Sequence, residues 1–134
     1  MKITLELNEA QARTVLNALD AYSRIGCGQF KIVQEVVSDW WSGDRWKSRD
    51  DADAGLSIAQ VALFPELGSY HASYGIPNRK VPLEFRRAYD LKKHIQRPMA
   101  IAREPNPTFP TVDYDGAILN VSDEPLPTVK VEKE

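Results

Sequence analysis

The chain has 134 residues, of which 43% are hydrophobic and 27% are charged, a balance typical of one globular domain that argues against long-range disorder. Its formal net charge of −2 argues against a protein that binds nucleic acid or membrane surfaces by charge alone. No stretch approaches the ~20 apolar residues of a membrane span, and the single cysteine, Cys27, excludes an internal disulfide and favours a reducing cytoplasm.

The first quarter of the chain predicts a strand followed by a helix. Residues 2–7 (KITLEL) alternate between polar and apolar side chains, which indicates a half-buried strand and does not resemble a signal peptide. Asn8 and Gln11 have the spacing of a capping box, and apolar residues at helical intervals predict a helix over residues 9–24. Gly26 is expected to supply the left-handed residue that ends this helix.

The middle of the chain is more ambiguous. Apolar residues at three- and four-residue steps predict a second helix over residues 30–41, although its valines leave a strand as an alternative. We expect a charged loop or insertion over residues 42–55, and residues 56–67 are compatible with a short helix ending near Pro65 and Gly68. Residues 69–78 contain two tyrosines, a glycine and a proline, and predict an ordered loop.

A third helix is predicted to follow Pro82, because proline fits the first helical turn, where its missing N–H is not needed. Phe85, Ala88, Leu91 and Ile95 give this helix an inward face. Pro98 is expected to kink or break it, and the sequence REPNP at residues 103–107 to end it.

The C-terminal part predicts a β-hairpin and a tail. Asp115-Gly116 lies between β-prone stretches, with residues 118–121 as the return strand. We therefore expect an α+β fold with a short N-terminal strand, two to three helices and a C-terminal β-hairpin, with the strands completed across a homo-oligomer interface. Residues 1–121 would form a single α+β domain, and residues 122–134 an acidic, mobile tail.

Charge is distributed unevenly along the chain. Residues 76–104 carry eight basic and three acidic side chains, a local charge of +5, whereas residues 113–134 carry six acidic and two basic ones, a local −4. On the third helix, Arg86, Asp90, His94 and Arg97 share one face. Two guanidinium groups can bind phosphates with paired hydrogen bonds, and a carboxylate can orient an arginine or accept from a ribose hydroxyl.

Upstream of this helix, Tyr70, His71 and Tyr74 are candidates to stack on a base or a sugar. The alternative for the helix is a solvated face on which Arg86 and Asp90 form an intrahelical pair worth a few tenths of a kcal/mol.

Motifs for catalysis and metal binding are absent from the sequence. His71 and His94 are the only histidines, and neither has metal-ligand spacing. Cys27 would need a histidine brought close by folding to act as a nucleophile, and a small buried hydrophobic residue is the simpler interpretation. Gly26 and Gly28 do not form a P-loop. No catalytic residue, metal site or cofactor is therefore predicted, and the protein is interpreted as a binding protein.

Four short stretches carry a resemblance to a known family. Residues 19–30 (LDAYSRIGCGQF) resemble the YSR-[IL]-G-x-GQF joint of small phage-encoded proteins. Residues 73–76 (SYGI), Val81-Pro82 and residues 88–91 (AYDL) resemble a second conserved-looking segment of the same proteins. The chain is similar in this way to the phage anti-defence sponges that block Thoeris immunity, over residues 2–37 and 69–116.

The resemblance implies a function and a site. Sponges of this family sequester the cyclic ADP-ribose signal of TIR-domain enzymes without cleaving it, in pockets where subunits meet. It therefore implies a small-molecule cyclic nucleotide as partner, a homodimer or hexamer, no membrane partner, and a location in the host cytoplasm, while the acidic tail argues against a nucleic-acid partner. By position the resemblance carries over Arg86, Arg87 and Asp90 as ligand contacts. The other expected ligand-binding residues are Tyr74, Asn78, His94 and Arg97.

Two other functions remain open from the sequence. A small phage protein could bind a host protein or nucleic acid through the basic helix and its neighbouring tyrosines. A hydrolase using Asp90 and His94, which share a helix face, is the weaker option because no nucleophile or metal accompanies them.

Overall fold

Four α-helices form the protein in the computed structural model, which describes residues 1–37, 47–115 and 120–133. They are α1 (Glu9–Gly26), α2 (Lys31–Val36), α3 (Arg49–Leu63) and α4 (Leu83–Arg103). A short 3₁₀ turn at Pro65–Leu67 follows α3, and another at Val112–Tyr114 follows α4. Within the described residues, none of the helices is both long enough and apolar enough to cross a membrane.

Helix α1 begins as the sequence predicts. The Asn8 side chain accepts from the Gln11 backbone N–H at 2.9 Å, and the Gln11 side chain accepts from the Asn8 N–H at 2.9 Å, which completes the predicted capping box. The helix ends differently from the prediction, because Gly26 is still helical and the left-handed residue is Gly28, with φ of +85°. Gly26 instead allows close packing, since a Cβ there would lie 2.0 Å from Phe85 Cγ.

Helices α1 and α4 pack along each other and form the main contact of the fold. The rings of Tyr22 and Phe85 lie 4.7 Å apart between centroids. Small buried residues, Ala12 on α1 and Ala88 and Ala100 on α4, allow the two helices to approach. At the far end Arg103 of α4 pairs with Glu9 of α1 at 2.9 Å.

Helix α2 packs against α1, and α3 packs against α2. Phe64, which follows α3, contacts the rings of Phe30 and Tyr74 edge-on, at centroid distances of 5.7 and 6.5 Å. Gln60 of α3 is fully buried, and its amide donates to the backbone carbonyls of Ser69 and Ala72. These contacts order the loop between α3 and α4, as the sequence predicted for residues 69–78.

The predicted α+β fold is wrong, because no residue in the described ranges belongs to a β-strand. Residues 2–7 are irregular, and Ile3 and Leu5 are 82% and 70% exposed. Alternation alone cannot make a strand, since a strand is stabilised by hydrogen bonds to a neighbour and by burial of one face.

In the described part of the predicted hairpin, a 3₁₀ turn takes the place of the first strand. The Thr111 hydroxyl accepts from the Asp113 N–H and begins the 3₁₀ turn Val112–Tyr114. The Tyr114 hydroxyl then donates to the Glu104 carbonyl at 2.8 Å, which holds this segment against the end of α4. Gly116 and residues 118–119 of the predicted return strand lie outside the described residues, and residues 120–121 are not in a strand.

Two other helix boundaries differ from the sequence predictions, and a third helix continues through the proline at which a kink or break was expected. The second helix is α2, six residues long, and the rest of its predicted length, including Trp40 and Trp41, falls outside the described residues. The start of α3 at Arg49 overturns a loop continuing to residue 55. Helix α4 continues past Pro98 without a break and ends at Arg103, where the sequence predicted its end.

Candidate functional site

One face of α4 binds the chain's own C-terminal segment, residues 121–124. The buried Arg86 donates through Nη1 to the Val121 carbonyl at 2.9 Å and through Nε to the Val81 carbonyl at 3.0 Å. The buried Asp90 accepts the backbone N–H groups of Val121 and Ser122 at 3.0 and 2.9 Å. We call residues 121–124 and their partners on α4 and the preceding turn the C-terminal clasp.

Charged side chains reinforce the C-terminal clasp at its surface. Arg87 forms two parallel hydrogen bonds with the Glu124 carboxylate, at 2.5 and 2.6 Å. Arg79 pairs with Asp123 at 2.6 Å. The Arg87 hydrogen bonds lower the pKa of Glu124 below its ordinary value, and Glu124 raises the pKa of Arg87 in turn. Two of the predicted phosphate-binding groups, the guanidinium groups of Arg86 and Arg87, thus contact a carbonyl and a carboxylate of the same chain.

The other predicted site residues are dispersed. The Tyr74 hydroxyl donates to Glu66 at 2.6 Å, and the exposed Asn78 side chain accepts from the Lys80 N–H at 2.9 Å. His94 Nδ1 lies 2.9 Å from the Asp90 carbonyl. Arg97 Nε is buried and has no hydrogen-bond partner among the described residues. Of the seven predicted residues, Tyr74 alone lines either of the two clefts described below.

The cleft that Tyr74 lines, which we call the first cleft, has a volume of about 430 Å³ and lies between α1, α4 and the loop before α4. This volume is within the usual range for small-molecule sites. The loop contributes residues 73–76, and the backbone N–H of Tyr74 donates to the Cys27 carbonyl at 2.9 Å, which fixes this wall to the end of α1. The remaining lining residues are Asp20, Ser23, Arg24, Cys27 and Gln29 from α1 and its end, and Tyr89 and Lys92 from α4.

A carboxylate between two cations sets the charge of the first cleft. Asp20 pairs with Lys92 of α4 at 2.7 Å and with Arg24 at 2.9 Å. Burial acts to raise the pKa of Asp20, but the hydrogen bond and charge of Lys92, with those of Arg24, outweigh it and leave the pKa below the ordinary 3.8. Lys92 Nζ also lies 5.2 Å from the centroid of the Tyr89 ring.

Two lining residues stay protonated at neutral pH. Burial raises the pKa of the Cys27 thiol, although the charge of Arg24 opposes the shift. Burial, followed by the charges of Asp115 and Asp90, raises the pKa of Tyr89. The first cleft therefore offers cationic donors, one carboxylate acceptor and an aromatic ring, and its cysteine is not activated as a thiolate.

A second, smaller cleft of about 220 Å³ lies beside the first, and we call it the second cleft. It shares Arg24, Gln29 and Ser73 with the first cleft and extends toward α2 and the loop after α3. Lys31, Glu35, Tyr70 and His71 are among its other lining residues. No cluster of three or more metal-binding side chains occurs in residues 1–37, 47–115 and 120–133.

Sequence reasoning missed Asp20, Arg24, Gln29, Tyr89 and Lys92 as a set. Every lining residue of the first cleft except Lys92 lies in one of three segments, residues 19–30, 73–76 and 88–91. All three segments belong to the stretches that carry the family resemblance. The sequence therefore marked these residues, but the spacing of the motifs along the chain could not show that they lie together in the folded protein.

No protein-family model, curated protein or solved structure matches the chain. The resemblance to the sponge family therefore stays a prediction, and the first cleft is the feature of the molecule that supports a function.

Proposed function

We propose that the protein binds a small phosphorylated nucleotide in the first cleft and holds it without cleaving it. The ligand class is a cyclic nucleotide immune signal of the cyclic ADP-ribose type, and the biological role is that of a phage anti-defence sponge. The observation that carries the proposal is the grouping of Arg24, Lys92, Asp20 and Tyr89 in one open cleft.

Each of these groups matches a part of such a ligand. The guanidinium of Arg24 and the ammonium of Lys92 can donate to phosphate oxygens in charge-assisted hydrogen bonds. The Asp20 carboxylate can accept from a ribose hydroxyl, and the ring of Tyr89 can stack on a base. A phosphate that approaches Arg24 and Lys92 would compete with the Asp20 carboxylate for their hydrogen bonds. A ligand that also carries a hydroxyl group can replace the hydrogen bonds that Asp20 loses, so such ligands are favoured.

The chemistry of the first cleft supports binding over cleavage. Its only thiol, that of Cys27, is buried and has a raised pKa, so it stays a poor nucleophile at neutral pH. Neither histidine lines the first cleft, which leaves Cys27 without a neighbouring imidazole base.

The test is to mix the purified protein with the products of a TIR-domain enzyme and to measure thermal unfolding. We expect a higher Tm in the presence of the products, because a ligand that binds only the folded state stabilises it. Heating the complex should release the ligand with unchanged mass. Recovery of a degraded ligand would show that the protein is an enzyme instead.

Two arginines of α1 provide a matched pair of variants. Arg24 pairs with Asp20 and Arg13 pairs with Glu9, each four residues back at 2.9 Å, and their side chains are similarly exposed at 45% and 51%. We expect Arg24→Gln to weaken ligand binding by at least about tenfold and Arg13→Gln to leave it unchanged. Equal affinities of the two variants would remove the first cleft as the site.

The alternative function is binding of a host protein or nucleic acid through the basic helix. Within the C-terminal clasp, Arg79, Arg86 and Arg87 contact residues 121–124. These contacts reduce the basic surface that is open to such a partner. A single-strand and duplex binding assay at two salt concentrations separates the cases, since phosphate-backbone binding weakens steeply with salt. The homodimer or hexamer stays a prediction, which a native mass measurement with and without ligand would test.

A further inference from the structure

The first and second clefts are separated by a thin polar partition. Arg24 Nη1 donates to Gln29 Oε1 at 3.0 Å, and Gln29 Nε2 donates to Ser73 Oγ at 3.4 Å. Both hydrogen bonds are exposed, and the second is long, so a ligand could displace them at little cost. These three side chains line both clefts, which makes the two clefts parts of one groove.

The same kinds of side chain occur on both sides of this partition. The first cleft presents Tyr89, Lys92 and Asp20, which are an aromatic ring, a cation and a carboxylate. The second cleft presents Tyr70, Lys31 and Glu35, which repeat that set. His71, whose ring lies 5.6 Å from that of Tyr70 between centroids, adds a second aromatic surface.

A ligand that fits this groove has two similar halves and a negatively charged centre. We propose that the groove takes two nucleosides joined through phosphate groups, with the phosphates at Arg24 and one nucleoside in each cleft. Stacking on aromatic rings and hydroxyl contacts to carboxylates suit a nucleoside, and a guanidinium suits the linking phosphates. This inference rests on the proposed binding of a nucleotide in the first cleft, and it adds a second ligand class with two bases, whereas a ligand of the cyclic ADP-ribose type has one base.

Two probes separate this inference from the proposed function. ADP carries one nucleoside and a diphosphate, and diadenosine diphosphate adds the second nucleoside to the same diphosphate. Amide chemical shifts can be mapped for each probe on the full-length protein. We expect ADP to shift residues 73–76 and the amides around Tyr89, and diadenosine diphosphate to shift these together with Lys31, Glu35 and His71.

A double variant of the second cleft gives an independent readout. We expect Lys31→Gln/His71→Ala to weaken diadenosine diphosphate binding by about tenfold or more while leaving ADP binding within about twofold. Lys130→Gln is the control, because Lys130 is highly exposed and pairs only locally with Glu132. Both substitutions of the double variant are at exposed residues, so the variant should fold as the wild type does.

The outcomes are distinct. If diadenosine diphosphate shifts only the first cleft, or binds the double variant as tightly as the wild type, the two-part groove is overturned and the proposed function stands. If neither probe nor the products of the TIR-domain enzyme bind, the proposed function fails, and the inference fails with it.

Discussion

Two neighbouring parts of α4 carry similar side chains and differ in what those side chains contact. In the C-terminal clasp, buried Arg86 and Asp90 are hydrogen-bonded to the backbone of residues 121 and 122. In the first cleft, Tyr89 and Lys92 lie on the wall of an open space, and Lys92 contacts the side chains of Asp20 and Tyr89. The C-terminal clasp uses charge to hold the chain together, whereas the first cleft leaves charge accessible to a ligand.

This difference shows why residue type alone does not locate a binding site. A buried arginine or aspartate whose hydrogen bonds are made within the chain stabilises the fold, because removing a partner leaves the other groups unsatisfied. A partly exposed lysine or tyrosine beside an open volume can exchange its contacts for those of a ligand. Substitutions in the C-terminal clasp should therefore affect stability first, and substitutions in the first cleft should affect binding first.

The largest effect is expected for Asp90→Ala. It removes the acceptor of two buried backbone N–H groups, so we expect a loss of about 3 kcal/mol in the free energy of unfolding. Chemical denaturation measures it. The control is Glu84→Ala on the exposed first turn of the same helix, which should change stability by less than about 0.5 kcal/mol. Equal effects of the two substitutions would contradict the structural role of Asp90.

The second prediction concerns the packing of α1 against α4, the two helices that form walls of the first cleft. Gly26→Ala would bring a Cβ within 2.0–2.5 Å of three Phe85 atoms, so α1 and α4 must separate, at a cost of about 2 kcal/mol. Gly55→Ala is the matched control, because Gly55 also lies in a helix and a Cβ there would meet nothing within 4 Å. We expect Gly55→Ala to stabilise the protein by up to about 1 kcal/mol. Thermal unfolding distinguishes the opposite signs.

A smaller effect is expected from Asp20, whose carboxylate serves both the fold and the first cleft. Its pKa is lower in the folded state than the ordinary 3.8, so its contribution to stability is present above that value and is lost as the pH falls through the folded pKa. The stability difference between the wild type and Asp20→Asn should therefore shrink on acidification below 3.8. A difference that is constant across this range would show that Asp20 makes no charged contact in the folded protein.

The smallest effect is expected at the surface of the C-terminal clasp. Glu124→Gln removes an exposed ion pair with Arg87, and exposed pairs contribute little because water and salt screen them. We expect a slight loss of stability at low salt that disappears at high salt. A loss as large as that of Asp90→Ala would mean that the exposed charges, and not the buried backbone contacts, hold residues 121–124.

The helices could largely be predicted from the sequence, because their signals are local. The capping box of Asn8 and Gln11, the start after Pro82 and the end at Arg103 depend on residues within one or two turns. The presence of strands could not be predicted from local signals. Residues 2–7 have the alternation of a strand, but whether a partner strand exists is decided by the whole fold.

The site was harder to predict for the same reason. Arg86, Asp90 and Arg97 were grouped by helical spacing, which gives a shared face but does not say what covers it. The opposite charges of residues 76–104 and 113–134 were visible in the sequence and are consistent with the C-terminal clasp. The grouping of Asp20 with Lys92 joins residues 72 positions apart, and no local pattern carries that information.

The amides held by Asp90 have a consequence for hydrogen exchange with solvent. Val121 and Ser122 lie in a segment without regular secondary structure, where backbone N–H groups usually exchange quickly. Because both N–H groups are buried against one carboxylate, each can exchange only when residues 121–124 leave α4. The protection factors of these two amides, which are their exchange rates divided into the intrinsic rates of the open chain, should therefore match each other. Together they report the free energy of that local opening in the intact protein.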